Sequence, residues 1–230
     1  MKNKLLIISG PTGSGKTDLA LKLSKDLDRR IVNADPFQFY NELRIIGNQP
    51  DEGVDRFEFM GFRSVAEPIN AGGFSKLANV FLKPDFIWVG TGLYLGASLY
   101  GLDEDRRKGT PFQGEAKVDY EMIVLDPDRQ ELYQRLNDRV DLMMKKGAET
   151  EAQKIFQLIE RGCLESKNPI LKAIGLQHLL KVIAKDWTLS AAIELWKRDT
   201  RRLAKRQWTW LRKFCPPSDK VTWKRHLLEN

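Results

Sequence analysis

The chain has 230 residues, 38 Lys plus Arg against 31 Asp plus Glu, and a formal net charge of +7. Its length suits one sizeable domain or one domain with a small appendage, and 42% hydrophobic residues exclude a disordered chain. Apolar runs such as Leu5–Ser9 are too short to cross a bilayer, and Met1-Lys2-Asn3-Lys4 leads into the first without a small-residue cleavage site. Two cysteines and two histidines exclude a disulfide framework and speak against a zinc site, so a cytoplasmic protein is expected. In chain order, apolar runs predict strands at Lys4–Ser9, Arg30–Ala34, Asp85–Val89 and Tyr120–Leu125, with helices at Lys16–Leu27 and Gly73–Leu82 between them. Strands without polar alternation, separated by helices, predict a parallel sheet covered on both faces. Gly101–Ala116 is polar and aperiodic and reads as a loop. From Asp128 onward only helices are expected: Asp128–Lys146, Thr150–Arg161, Ile170–Ala184 and Ser190–Lys213. The predicted organisation is an α/β core over 1–127, with a short loop at 103–119, and a helical part over 128–230 that completes it.

Chemistry enters at the first turn. Gly10-Pro-Thr12-Gly13-Ser14-Gly15-Lys16-Thr17 fits G-x-x-x-x-G-K-[ST] directly after a strand and before a helix, the setting of a P-loop. Its backbone amides and the helix N-terminus would cradle phosphate, Lys16 would neutralise a terminal phosphate, and Thr17 would ligate Mg²⁺. A phosphate-hydrolysing enzyme would carry an acid at the end of an apolar strand beside this loop. The third strand instead ends Trp88-Val89-Gly90-Thr91, and the acid, Asp35, closes the second. At that edge Asp35 faces the ligand crevice of an open α/β sheet. It is either a general base, a Mg²⁺ ligand or an N-cap.

Charge is uneven: residues 1–117 hold 16 basic and 15 acidic side chains, and 118–230 hold 22 and 16. Residues 197–213 contain eight Lys or Arg and one acid. On a helix Arg198, Arg201, Arg202, Lys205, Arg206, Arg212 and Lys213 fall within an arc of about 140°, opposite Leu203, Ala204, Trp208, Trp210 and Leu211. This predicts one packed face and one cationic stripe suited to RNA phosphates, with no acid interleaved on the stripe.

Several segments together resemble the tRNA dimethylallyltransferase (isopentenyltransferase) family. They are Gly10–Thr17, Asp35-Pro36-Phe37-Gln38-Phe39-Tyr40 with Ile46-Gly47, Val89–Tyr94, Leu125–Arg135, Ala173-Ile174-Gly175 with Gln177, and Thr200–Arg212. The last is similar to the family's Thr-Arg-x-x-Ala-Lys-Arg-Gln-x-Thr-Trp signature. The resemblance implies transfer of a dimethylallyl group from dimethylallyl diphosphate to N6 of an adenine beside the anticodon (A37), with release of diphosphate. It implies that Gly10, Thr12, Gly13, Ser14, Gly15, Lys16 and Thr17 hold the diphosphate, with Arg129 as a second cation. It implies Asp35 as base, and Thr91 on the amine or a bridging diphosphate oxygen. Asp35, Pro36, Phe37, Gln38, Lys172, Gln177, Arg198, Arg201, Lys205, Arg206, Gln207 and Arg212 are then the expected tRNA contacts. The sequence departs from the family at Pro36 (Ser), Asn48 (Thr), Val89 (Gly) and Leu176 (Tyr), and it lacks most of the helical insert with its His-Pro-Asn-Asp run. A prenyltransferase of free adenine nucleotides, a P-loop nucleotide kinase and a catalytically inert RNA-binding module remain as alternatives. The oligomeric state is open, with a monomer the simplest expectation.

Overall fold

The computed structural model describes residues 4–102, 115–165 and 167–225. Six parallel strands form one sheet in the order β3-β2-β4-β1-β5-β6. They are β1 (Leu5–Ser9), β2 (Arg30–Asn33), β3 (Phe57–Glu58), β4 (Phe86–Val89), β5 (Tyr120–Leu125) and β6 (Val221–Lys224). β1 lies centrally, Ile7 opposite Trp88 of β4 and Met122 of β5, and every residue of β1 is buried. Burial on both faces is why β1 reads as an uninterrupted apolar run. The helices are α1 (Lys16–Leu27), α2 (Ala71–Ala78), α3 (Leu93–Tyr100), α4 (Arg129–Lys145), α5 (Ala148–Glu160), α6 (Ile174–Ile183) and α7 (Leu189–Phe214). On one face of the sheet, Ala20 with Leu19 and Leu23 of α1 packs on Ile8, Ile31 and Ile87. On the other, a larger core joins Phe74, Leu95, Leu99, Ile155, Leu179 and Trp196 from five helices to Ile7, Val32 and Trp88.

The four predicted strands are present. The expectation of helices alone beyond Asp128 is corrected by β6, which pairs with β5 from Met122↔Val221 to Leu125↔Lys224. It is a four-residue edge strand with two exposed positions, so its sequence, Val-Thr-Trp-Lys, has no apolar run to betray it. Two further elements carry no usable period: β3 has two residues, and α3 is apolar along nearly its whole length, with Leu95–Leu99 buried and no polar face. The helix expected at Ile170–Ala184 begins at Ile174; Pro169–Lys172 forms a short 3₁₀ turn, and Ala173 is extended at ψ 123°. Residues 103–114, the larger part of the shortened loop, lie outside the described residues.

Candidate active site

β1 turns at Ser9 into the P-loop, which runs straight into α1. Gly13 (φ 80°) and Gly15 (φ 88°) take left-handed conformations that glycine adopts without strain. Gly15 caps α1 with no side-chain hydrogen bond, so the first-turn amides face outward for a ligand. Ser14 Oγ is buried without a hydrogen-bond partner among the described residues. Lys16 Nζ donates to the carbonyls of Gly10 (3.0 Å) and Pro11 (2.9 Å), which leaves one N–H for an incoming oxygen. Burial lowers its pKa to about 8; Asp35 opposes that shift and Arg139 adds to it.

Asp35 follows β2 at the same edge. Its Oδ1 accepts the Phe37 amide at 3.1 Å and caps the 3₁₀ turn Pro36–Gln38, while its own amide donates to Asn33 Oδ1 at 3.1 Å. The cap fixes the carboxyl group through one of its oxygens. Desolvation raises its pKa above the ordinary carboxylate value, opposed by the Phe37 amide, Lys16 and Arg139. Pro36 stands at the first position of the turn, where its fixed φ fits and its missing N–H is not needed. Thr91, beyond β4, donates its hydroxyl to the Gly10 carbonyl at 2.6 Å. Gly90 lets these strand ends converge, because a Cβ there would lie 2.8 Å from Ala34 Cβ.

The helical half closes the site. Asp128 caps α4 by accepting the amides of Gln130 (2.7 Å) and Glu131 (3.2 Å), and α4 then passes over the P-loop. Arg135 Nη1 donates to the Gly13 carbonyl (3.0 Å) and Arg139 Nη2 to Thr12 Oγ1 (3.0 Å). Leu136 packs so tightly on Gly13 that a Cβ there would sit 2.6 Å from Leu136 Cδ2. Arg139 Nε is buried without a hydrogen-bond partner among the described residues, and desolvation lowers the Arg139 pKa to about 10, Asp35 opposing. From α7, Gln207 Oε1 accepts the Thr12 amide at 2.7 Å. Thr12 is thus gripped by both helices.

The structure redistributes the residues expected from the sequence. The P-loop, Asp35 and Thr91 come together. Arg129 stands exposed at the start of α4, where its guanidinium donates to the Tyr133 hydroxyl (3.2 Å) and lies over that ring; Arg135 and Arg139 are the α4 arginines that reach the P-loop. The missed Arg135 and Arg139 stand four residues apart, beside the buried Leu132–Leu136–Val140 stripe, and that adjacency was the only signal for them. The acid-free cationic stripe is also corrected. Asp199 lies among the arginines, 3.0 Å from Arg198 and 3.2 Å from Arg202, with its other oxygen 3.3 Å from His178 Nε2. Arg201 donates to Asn137 of α4, Arg212 stacks over Trp208 and approaches Asp126, and Gln207 turns to the P-loop. Lys205 and Arg206 stay exposed without an ion pair among the described residues. Lys172, in the 3₁₀ turn before α6, and Gln177, in the first turn of α6, are exposed; Phe37 and Pro36 are half-buried, and Gln38 is buried, its amide donating to the Asn48 carbonyl at 2.7 Å. Gly175 serves packing, since a Cβ there would overlap Trp196 at 2.2 Å.

A parallel sheet with a P-loop braced from a helical half, an acid at the end of β2 and none on β4 defines an α/β protein with a P-loop-like fold. An isopentenyl transferase family model matches residues 3–58 and an IPP transferase model residues 105–214. The tRNA dimethylallyltransferase of Oenococcus oeni is 34% identical, over 94% of this chain and 88% of its own length. That of Clostridioides difficile is 28% identical, over 93% and 90%. The crystal structure of the tRNA isopentenylpyrophosphate transferase from Bacillus halodurans superposes with a TM-score of 0.80 at 24% identity, covering 96% of this chain and 89% of that one. The chain belongs to the tRNA dimethylallyltransferase family.

Proposed function

We propose that the protein transfers the dimethylallyl group of dimethylallyl diphosphate to N6 of an adenine next to the anticodon of tRNA (A37). The observation that carries this reading is the meeting of Asp35 with two desolvated cations, Lys16 and Arg139, at one P-loop. The reaction breaks the allylic C–O bond, forms an N–C bond, moves one N6 proton to Asp35 and releases diphosphate. Negative charge grows on the leaving group as C–O cleaves. Lys16, the P-loop amides and Arg139 therefore stabilise the transition state more than the bound substrate. Arg139 takes the part first expected of Arg129: it stands at the loop, and its buried Nε has an unused donor.

Thr91 donates its hydroxyl hydrogen bond to the Gly10 carbonyl, and in that arrangement its oxygen accepts from a substrate. This favours a hydrogen bond from the adenine amine over one to a bridging diphosphate oxygen. Together, Asp35 and Thr91 would orient an amine whose lone pair is delocalised into its ring.

For Mg²⁺, the fit is that of a substrate-borne ion. Among the described residues no three His, Cys, Asp or Glu side chains cluster to hold a metal, and Thr17 offers one hydroxyl beside the cradle. An ion that keeps waters and substrate oxygens as ligands suits that site, and when bound it would neutralise diphosphate charge. No described helix is long and apolar enough to cross a membrane. Incubation with Mg²⁺, dimethylallyl diphosphate and bulk tRNA, followed by nucleoside mass spectrometry, should reveal N6-isopentenyladenosine. Product from AMP and none from tRNA would establish the free-nucleotide alternative, which the internal engagement of Arg201 and Gln207 keeps open.

A further inference from the structure

Beyond the catalytic pocket, a groove of about 970 Å³ runs between the segment Asn41–Asp51 and the facing sides of α4 and α5. Its lining includes Arg139, which also reaches Thr12 of the P-loop, together with Arg44, Lys146, Lys154 and Arg161. The acids in it are spent on the protein itself. Glu151 accepts the amides of Ile45 (2.8 Å) and Ile46 (2.7 Å), Glu42 accepts Ser64 Oγ (2.6 Å) and the Val65 amide (3.0 Å), and Asp51 pairs with Lys146. Arg44, Lys154 and Arg161 are exposed and form no ion pair among the described residues. Leu142 lies among these cations with 49% of its surface exposed.

We propose that this groove seats a single-stranded RNA segment adjoining the target adenine, with backbone phosphates on Arg44, Lys154 and Arg161. The proposal rests on the acceptor being RNA. Three features select a nucleic acid strand: unpaired cations spread along a channel, an apolar surface among them for a base, and continuity through Arg139 with the pocket that holds Asp35. A lone diphosphate would use a single compact cluster instead. The groove also lies on the opposite side of α4 from α7: Asn137 and Asp141 face α7, while Arg139, Leu142 and Met143 face the groove. RNA would therefore straddle α4, held by Lys205 and Arg206 on one side and by the groove on the other.

The test is the triple variant Arg44→Ala/Lys154→Ala/Arg161→Ala, checked by thermal melt and titrated with a fluorescent anticodon stem-loop at several salt concentrations. All three side chains are exposed, so the fold should survive. With about 0.7 unit of salt slope per single-strand phosphate contact, the slope should shallow by about two units, and binding at low salt should weaken about tenfold or more. A blunt duplex of the same stem should bind wild type and variant alike. Combined with Lys205→Ala/Arg206→Ala, the losses should add. Unchanged stem-loop affinity and slope would overturn the proposal, as would an effect confined to the KM for dimethylallyl diphosphate. Binding is read without turnover, so a wild type that forms no isopentenyladenosine would refute the function, whereas intact RNA binding by the triple variant would refute only the groove.

Discussion

Lys16 and Arg139 are cations that the protein hides, whereas Lys205 and Arg206 are cations that it displays. The hidden pair sits where desolvation depresses both pKa values, to about 8 and about 10, with a single carboxylate nearby and donors left over. The displayed pair sits in water on α7, beside neighbours that Asp199 and Asp126 partly neutralise. A desolvated charge interacts strongly with whatever arrives, because little solvent screens it; an exposed one contributes modestly and additively. The same residue types therefore serve two purposes, chemistry in the pocket and adhesion on the helix. Four experiments can break or sharpen that contrast.

The largest effect is expected at the acid the hidden cations surround. Asp35→Ala should lower single-turnover rates by about 10²–10⁴-fold while dimethylallyl diphosphate binding changes little, as measured by titration calorimetry. A rate within threefold of wild type would reduce Asp35 to a cap for the Pro36–Gln38 turn.

Next come the cations themselves. Lys16→Met and Arg139→Met should each weaken diphosphate binding and slow C–O cleavage by about 10- to 100-fold, the worth of a charged hydrogen bond. Arg129→Met should do neither. Equal losses at Arg129 and Arg139 would return Arg129 to the site.

pH supplies the third. A lysine binds diphosphate as the ammonium, so affinity should be full below about 8 and decline above it by at most about tenfold per pH unit. Asp35 must be ionised to accept a proton, so turnover should fall on the acid side at a pH above the ordinary carboxylate range. Lys16→Arg should move the alkaline limb upward, and a limb that stays in place belongs to another group.

The smallest effect belongs to the display. Lys205→Ala/Arg206→Ala should shallow the salt dependence of tRNA binding by about one to two units and leave the chemical step on saturating RNA unchanged. A loss in single-turnover rate at saturation would mean that these side chains reach the pocket.

The contrast also explains what could be read from the sequence. The P-loop, Asp35 and Thr91 are legible because strand, turn and residue fall within a few positions of one another. The four main strands are legible because burial on both faces writes a continuous apolar run. Arg139 is not legible, since its importance comes from a contact 127 positions away with Thr12. The assignment of Gln207 to RNA faced the same obstacle: helical arithmetic says which side of α7 it occupies but not that the P-loop lies there. Helical arithmetic sets Asp199 at the rim of the stripe, about 20° beyond Arg206, close enough to have flagged an acid within reach of Arg198 and Arg202. β6 escapes because an edge strand needs only its neighbour's hydrogen bonds.

The grip on Thr12 bears on how the chain comes into being. The amide of Thr12 meets Gln207 across 195 positions, and the outermost strand of the sheet is drawn from residues 221–224. During synthesis the glycine-rich turn emerges long before its braces do. The nascent N-terminal half therefore carries the phosphate signature long before it can hold the turn in its working shape. Pairings of such long separation form late and slowly. Metabolite capture should begin only once residues 207–224 have been made.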